Sequence, residues 1–208
     1  LTGFQKVCKK NRRFVEEHMD DVYPTFKKFG DEHMVQRLNT YDGIQGSAKH
    51  QMLLNFAYDA LSPEIELAIT ASGILAGNAL YHNPDRTDYQ QKAMEELYAG
   101  TSVGSLGMTE MERGSDAVNM LTEAKLQDDG SVVYNGTKIY NTNGAVADYI
   151  MTYGVTDISA PRRSMMFTCF ERDDPGIDIH RLHIPAAPGV GIAKVDYNDA
   201  MAPAERIM

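Results

Sequence analysis

The sequence predicts an α+β fold: an N-terminal α-helical domain followed by a small antiparallel β-barrel or sandwich. Three observations predict it. Apolar residues in the first hundred positions recur at helical spacing between recognisable caps. After Gly100, runs of Val, Ile, Tyr and Thr alternate with Gly, Asn and Asp turns at strand-like intervals. The 208 residues, 43% hydrophobic and 24% charged, supply enough apolar surface for a sizeable core without staples.

The first helix is written by Phe4, Val7, Cys8, Phe14, Val15, Met19 and Val22 at 3.6-residue spacing. Pro24 interrupts this stretch, and Phe29-Gly30 reads as a helix stop. A short helix is expected over residues 31–38, and Ser47 is placed to cap another with Met52, Leu53, Phe56, Ala57 and Ala60 inward. Ser62-Pro63-Glu64 combines a capping serine, a proline at the first helical position and an acid at the positive end of the dipole. That helix should reach Tyr81 and, being apolar on most sides, sit centrally, with Leu67, Ile69, Ile74, Leu75 and Leu80 needing cover. His82 to Asp85 is a turn. Thr87-Asp88-Tyr89-Gln90 reads as a capping box, and Gly100 as the left-handed stop of the helix it opens.

The boundary therefore falls near Gly100 to Ser102, giving a helical domain over 1–101 and a β domain over 102–208. Within the latter, Ser131 to Tyr134 lies between two hairpin-type dipeptides, Asp129-Gly130 and Asn135-Gly136. Further strands are expected over 137–140, 148–155, 165–171 and 191–197, with Asp173 to Gly176 as a turn.

Charge excludes some functions. The net charge is −9 and neither half is basic, so no face suits a nucleic-acid backbone. The locally basic first 28 residues read as the solvated side of an amphipathic helix. No run is long and apolar enough to span a membrane. No charged and apolar leader is visible, and the chain opens at Leu1 without a methionine, as expected of a processed or partial chain. Two cysteines, Cys8 and Cys169, and six histidines show no metal-ligand spacing, so no metal is expected; two unpaired-looking thiols suit a reducing, cytoplasmic compartment. His180 and His183 would fall on opposite faces of an ideal strand.

Two segments carry chemistry. In residues 104–116, Gly104 and Gly107 permit close backbone approach by something flat, and Gly114-Ser115 can offer N–H groups to an anion. The segment matches neither the dinucleotide fingerprint nor the P-loop. About 30 residues later, Asn135 to Gly144 holds a turn, a short strand, and Tyr140 and Thr142 two residues apart. On an ideal strand those two share a face, which suits a planar heteroaromatic ligand.

The pair of segments, Met108-Thr109-Glu110-Met111-Glu112-Arg113-Gly114-Ser115-Asp116 and then Asn135 to Asp148, resembles the acyl-CoA dehydrogenase family. Residues 68–100, Arg172 to Ile177 and residues 190–203 extend the resemblance across about 62–208. It implies an FAD-dependent oxidoreductase that oxidises acyl-CoA thioesters between the α and β carbons, with hydride passing to the flavin. It further implies that Thr109 and Thr142 bond the isoalloxazine edge and that Tyr140, with neighbouring Asn141, packs on the flavin ring in place of the family's usual tryptophan. Leu106 and Met108 would line the flavin face. Gly114 and Ser115 would lie near the diphosphate, Ser115 also near the CoA moiety. The catalytic base is implied to lie outside this chain, in a C-terminal helical half or a partner subunit, with Glu110 and Glu112 structural or solvated. The resemblance implies an oligomer, an electron-transfer flavoprotein as acceptor and, in a eukaryote, the mitochondrial matrix. A non-catalytic assembly subunit of a heteromeric dehydrogenase is the alternative. Met111 departs from the family's proline, Leu106 from its frequent aromatic, and residues 180–191 from its glycine- and arginine-rich stretch.

Overall fold

A computed structural model describes residues 2–31 and 62–208. The helices expected over 31–38 and after Ser47 lie outside the described residues. Helix α1 spans Thr2–Glu16 and α2 spans Tyr23–Asp31. Val15, Val22, Phe26 and Phe29 are buried, but Met19 is exposed, because the helix has already ended at Glu16 and the periodicity no longer holds there. Pro24 does not merely interrupt: it sits in the first turn of α2, where its missing N–H costs nothing.

Gly30 is a packing glycine within α2 rather than its stop. A Cβ there would collide with the Gly100 carbonyl. Gly30→Ala should therefore lower stability by about 1–2 kcal/mol by overpacking, although alanine favours a helix. A denaturant midpoint that rises instead would show that the two backbones can part.

Ser62 caps the central helix by accepting from the Ile65 N–H at 3.4 Å. The helix continues without a break as α3 (Pro63–Ile69), a π-helical stretch (Thr70–Gly77) and α4 (Asn78–Tyr81). The π-helical winding was invisible to a 3.6-residue template. Ile65, Ile69 and Leu80 are fully buried, Ile74 is half-buried, and only Leu67 and Leu75 among the five expected apolar residues reach the surface. Helix α5 (Asp88–Ala99) ends on Gly100 at φ 76°. Thr87 accepts from the Gln90 N–H at 3.2 Å, but the reciprocal half of the capping box does not form. The Gln90 amide instead donates to the Glu205 and Ile207 carbonyls at 3.0 and 2.9 Å, tying the C-terminal segment to α5.

Seven strands follow: β1 (Gly104–Gly107), β2 (Glu123–Leu126), β3 (Val132–Asn141), β4 (Tyr149–Val155), β5 (Met165–Glu171), β6 (Ile177–Arg181) and β7 (Ala193–Ala202). They form one curled sheet in the order β1-β4-β2-β3-β7-β6, with β5 on the other edge of β4. The sheet is not wholly antiparallel, because β1 runs parallel to β4. Asp129-Gly130 makes the β2–β3 turn, with Gly130 at φ 84°. Asn135-Gly136 does not turn. It lies inside β3 at a register shift against β7, where a Cβ on Gly136 would meet Thr122. Among the described residues no helix is long and apolar enough to cross a membrane.

Helices and sheet share one seam. Gly104 begins β1 with its N–H donating to Ser72 Oγ at 2.8 Å and its carbonyl accepting from Asn143 Nδ2 at 3.0 Å. A Cβ on Gly104 would stand 2.7 Å from that of Ala76. The lead-in to the first motif is thus fixed by the π-helical stretch on one side and the second motif on the other.

Candidate functional site

The two motif segments lie side by side. The Thr109 carbonyl accepts from the Ile139 N–H at 2.9 Å, and Ser105 Oγ donates to the Thr142 carbonyl at 2.8 Å. Lys138 reaches across to the Met108 carbonyl at 3.1 Å and to Glu110 Oε1 at 2.9 Å. The structure therefore lays the backbones of residues 105–110 and 138–142 along one shared edge.

Tyr140 and Thr142 arrive there by a route the sequence does not suggest. Lys138 and Ile139 are both buried, so alternation has already failed. Tyr140 then takes φ 60°, and β3 ends at Asn141, leaving Thr142 beyond the strand. A bulky residue at positive φ is a local strain. Its outcome is a ring 56% exposed. Asn141 is buried, its amide turned back toward the Lys138 carbonyl at 3.4 Å, so that side chain is engaged inside the protein. The hydroxyls of Thr109 and Thr142 hold no hydrogen bond among the described residues, and both residues are half-buried.

Glu110 is a structural carboxylate. It accepts from the Leu121 N–H at 2.7 Å, the Thr122 N–H at 2.8 Å, the Thr122 hydroxyl at 2.6 Å and the Lys138 ammonium. Burial works to raise its pKa, but the Lys138 and Thr122 hydrogen bonds outweigh that and hold it below the ordinary carboxylate range. A carboxylate so fastened cannot take a substrate proton. Burial pulls Lys138 below its own usual range, against the pull of Glu110. Glu112 is exposed.

Gly114 and Ser115 stand apart on an exposed loop. The position where a Gly114 Cβ would sit has nothing within 4 Å, and its φ is not positive. Neither internal packing nor backbone conformation calls for glycine there, which fits close approach by a ligand. Leu106 turns the other way, toward the helices, where it lines a cavity of about 530 Å³ with Leu75, Asn78, Ala79, His82, Tyr153 and Phe167.

Sequence reasoning missed Asn143. At φ 67° and fully buried, it donates to the Ala68 and Gly104 carbonyls at 2.8 and 3.0 Å and accepts from the Tyr23 hydroxyl at 2.8 Å. That hydroxyl in turn accepts from the Gly191 N–H at 3.1 Å. Asparagine before a glycine was the only local signal. The remaining candidates for chemistry are ordinary. His180 pairs with Asp196 at 3.1 Å, and no group of three potential ligands for a metal occurs among the described residues. Burial pushes the Cys169 thiol up to about 12, so it is inert.

Comparison with known proteins follows the same two segments. Residues 105–200 match the family model described as acyl-CoA dehydrogenase, middle domain. The chain is 30% identical over 122 residues to a mitochondrial 2-methylacyl-CoA dehydrogenase of Solanum tuberosum, covering 58% of this chain and 29% of that protein. It is 31% identical over 119 residues to the short-chain-specific acyl-CoA dehydrogenase of Megasphaera elsdenii, covering 57% and 30%. The matched part is thus under a third of those relatives' length. Its fold superposes on a glutaryl-CoA dehydrogenase of Mycobacterium smegmatis, solved in complex with FADH2, with a TM-score of 0.81 at 20% identity, over 100% of this chain and 55% of that one. Residues 105–200, just under half of the chain, therefore match an acyl-CoA dehydrogenase middle domain, and the chain shares its fold with solved acyl-CoA dehydrogenases.

Proposed function

We propose that this chain is the N-terminal and middle portion of an FAD-dependent acyl-CoA dehydrogenase that oxidises the α,β bond of an acyl-CoA thioester, with residues 1–101 as its helical domain and 102–208 as its flavin- and acyl-CoA-binding domain. The observation that carries this reading is the edge formed by residues 108–109 and 140–142. Tyr140 is exposed there, and the hydroxyls of Thr109 and Thr142 hold no hydrogen bond among the described residues.

These residues fit FAD. Tyr140 would stack on the ring system, Thr109 and Thr142 would donate to its polar edge, and Met108 would supply apolar contact, whereas Leu106, turned toward the helices, is not part of this set. Gly114 and Ser115 would receive the diphosphate and the CoA moiety. FAD, when bound, supplies the hydride acceptor. The hydroxyl donors, fixed by the backbone bonds behind them, favour charge that develops at that edge without reorganising. Glu110, held by four hydrogen bonds, is not the proposed base; as the resemblance implies, the base is proposed to come from a C-terminal helical half or a partner subunit. An electron-transfer flavoprotein is the proposed acceptor, and a multi-subunit assembly the proposed state.

The test is FAD titration of the full-length protein. Tyr140→Ala with Thr142→Ala should weaken FAD binding about tenfold or more, from lost stacking of about 1 kcal/mol and a lost hydrogen bond of about 1 kcal/mol. Undiminished FAD content in the double variant would falsify the assignment.

A further inference from the structure

We infer that Lys138 is a positioning residue for the flavin-binding edge: its buried ammonium sets the register between Met108–Glu110 and Ile139–Thr142. The inference rests on the flavin reading above and goes beyond it, since Lys138 itself touches no exposed surface.

Three consecutive residues of the first segment are fastened to two consecutive residues of the second. The Met108 carbonyl and the Glu110 carboxylate both meet Lys138 Nζ, at 3.1 and 2.9 Å, and the Thr109 carbonyl between them meets the Ile139 N–H at 2.9 Å. Thr109 is thereby held through both neighbours, while its own hydroxyl has no hydrogen bond among the described residues. The Lys138 side chain is 0% exposed and that of Glu110 8%. Burying two charges costs so much desolvation that a well-packed apolar pair of similar volume stabilises a fold as well or better. Stability alone therefore gives no reason for an ion pair here. What the pair supplies is a single allowed register, because any slip leaves a buried charge unpaired.

The strain at Tyr140 points the same way. A tyrosine at φ 60° persists only where its flanks over-determine it. Lys138 is pinned two residues before it and Asn143, on the Ala68 and Gly104 carbonyls, three residues after it. Loosening the first pin lets Tyr140 relax toward an ordinary strand conformation and away from the edge.

The test uses full-length protein and FAD, with Lys138→Met combined with Glu110→Gln so that no lone charge remains. FAD affinity should fall at least tenfold, and the visible circular dichroism of the bound flavin should change shape. Thr122→Val removes one donor to Glu110 and leaves Lys138 in place, so the conclusion does not hang on the double variant folding. It should weaken FAD about threefold with a smaller spectral change. Folded variants that bind FAD as tightly as the parent, with an unaltered spectrum, would overturn the inference even if they melt earlier. A parent protein that binds no FAD would overturn the flavin reading, and this inference with it.

Discussion

Asn143→Ala is expected to lower stability by about 3–5 kcal/mol, from two buried carbonyls and a hydroxyl that lose their partner at about 1 kcal/mol or more each and from alanine's strain at positive φ. The carbonyls belong to Ala68 in the central helix and Gly104 at the head of β1, and the hydroxyl to Tyr23 in α2, so one amide joins three elements. For a chain of this size the loss corresponds to a melting temperature lower by roughly 6–20 °C. Two companion variants separate the causes. Asn143→Gly removes the same hydrogen bonds but accepts φ 67°, so it should sit about 1 kcal/mol above the alanine variant. Asn143→Asp keeps the shape but offers no donor to the two carbonyls, and it buries a charge against them, so it should be the worst of the three. A glycine variant as stable as the parent would mean that the side-chain amide contributes nothing and the backbone alone matters.

What was legible in the sequence was local. Ser62, Thr87 and Gly100 end or begin helices because capping depends on atoms within four residues, and each does so as read. The Asp129-Gly130 turn is equally local. The misreadings share a cause, which is competition from distant residues. Gln90 abandons the capping box because the Glu205 and Ile207 carbonyls, more than a hundred positions away, take its amide. Asn135-Gly136 has the letters of a hairpin, yet β7 pairs across both sides of it and Thr122 presses on the glycine, so it becomes a bulge in a long strand. Gly30 resembles a stop but is small because Gly100 lies against it.

The candidate site divides along the same line. Met108, Thr109, Tyr140 and Thr142 were named from motif letters, and their segments prove adjacent through bonds no spacing rule encodes. The strand-face argument for Tyr140 and Thr142 does not survive, because alternation ends at the buried Lys138-Ile139 pair and a positive φ re-aims the ring. Lys138 carries no motif-independent signal and Asn143 only its place before a glycine, since the side chains and carbonyls that hold them lie 18 to 120 residues away.

The second large effect concerns the buried charge pair. Lys138→Met alone should cost about 3–5 kcal/mol at neutral pH, because it leaves Glu110 ionised in the interior with hydrogen-bond donors but no cation. Adding Glu110→Gln to it should recover part of that loss despite being a second change in the core, since the lone charge is gone. The pH dependence has a definite sign. In the parent, Glu110 has a folded-state pKa below its unfolded value. Its stabilisation is therefore fully present above the ordinary carboxylate pKa of about 4.3 and is lost as pH falls through the folded value. In the Lys138→Met chain the same carboxyl has lost its cation and keeps its desolvation, so its folded pKa moves up, and protonation relieves the defect. Both effects shrink the gap between parent and variant on the acid side. Urea midpoints measured from pH 7 down to pH 4 should converge, with most of the change below pH 6. A gap that stays constant across that range would mean that the loss comes from packing around the Lys138 methylenes and not from the charge on Glu110.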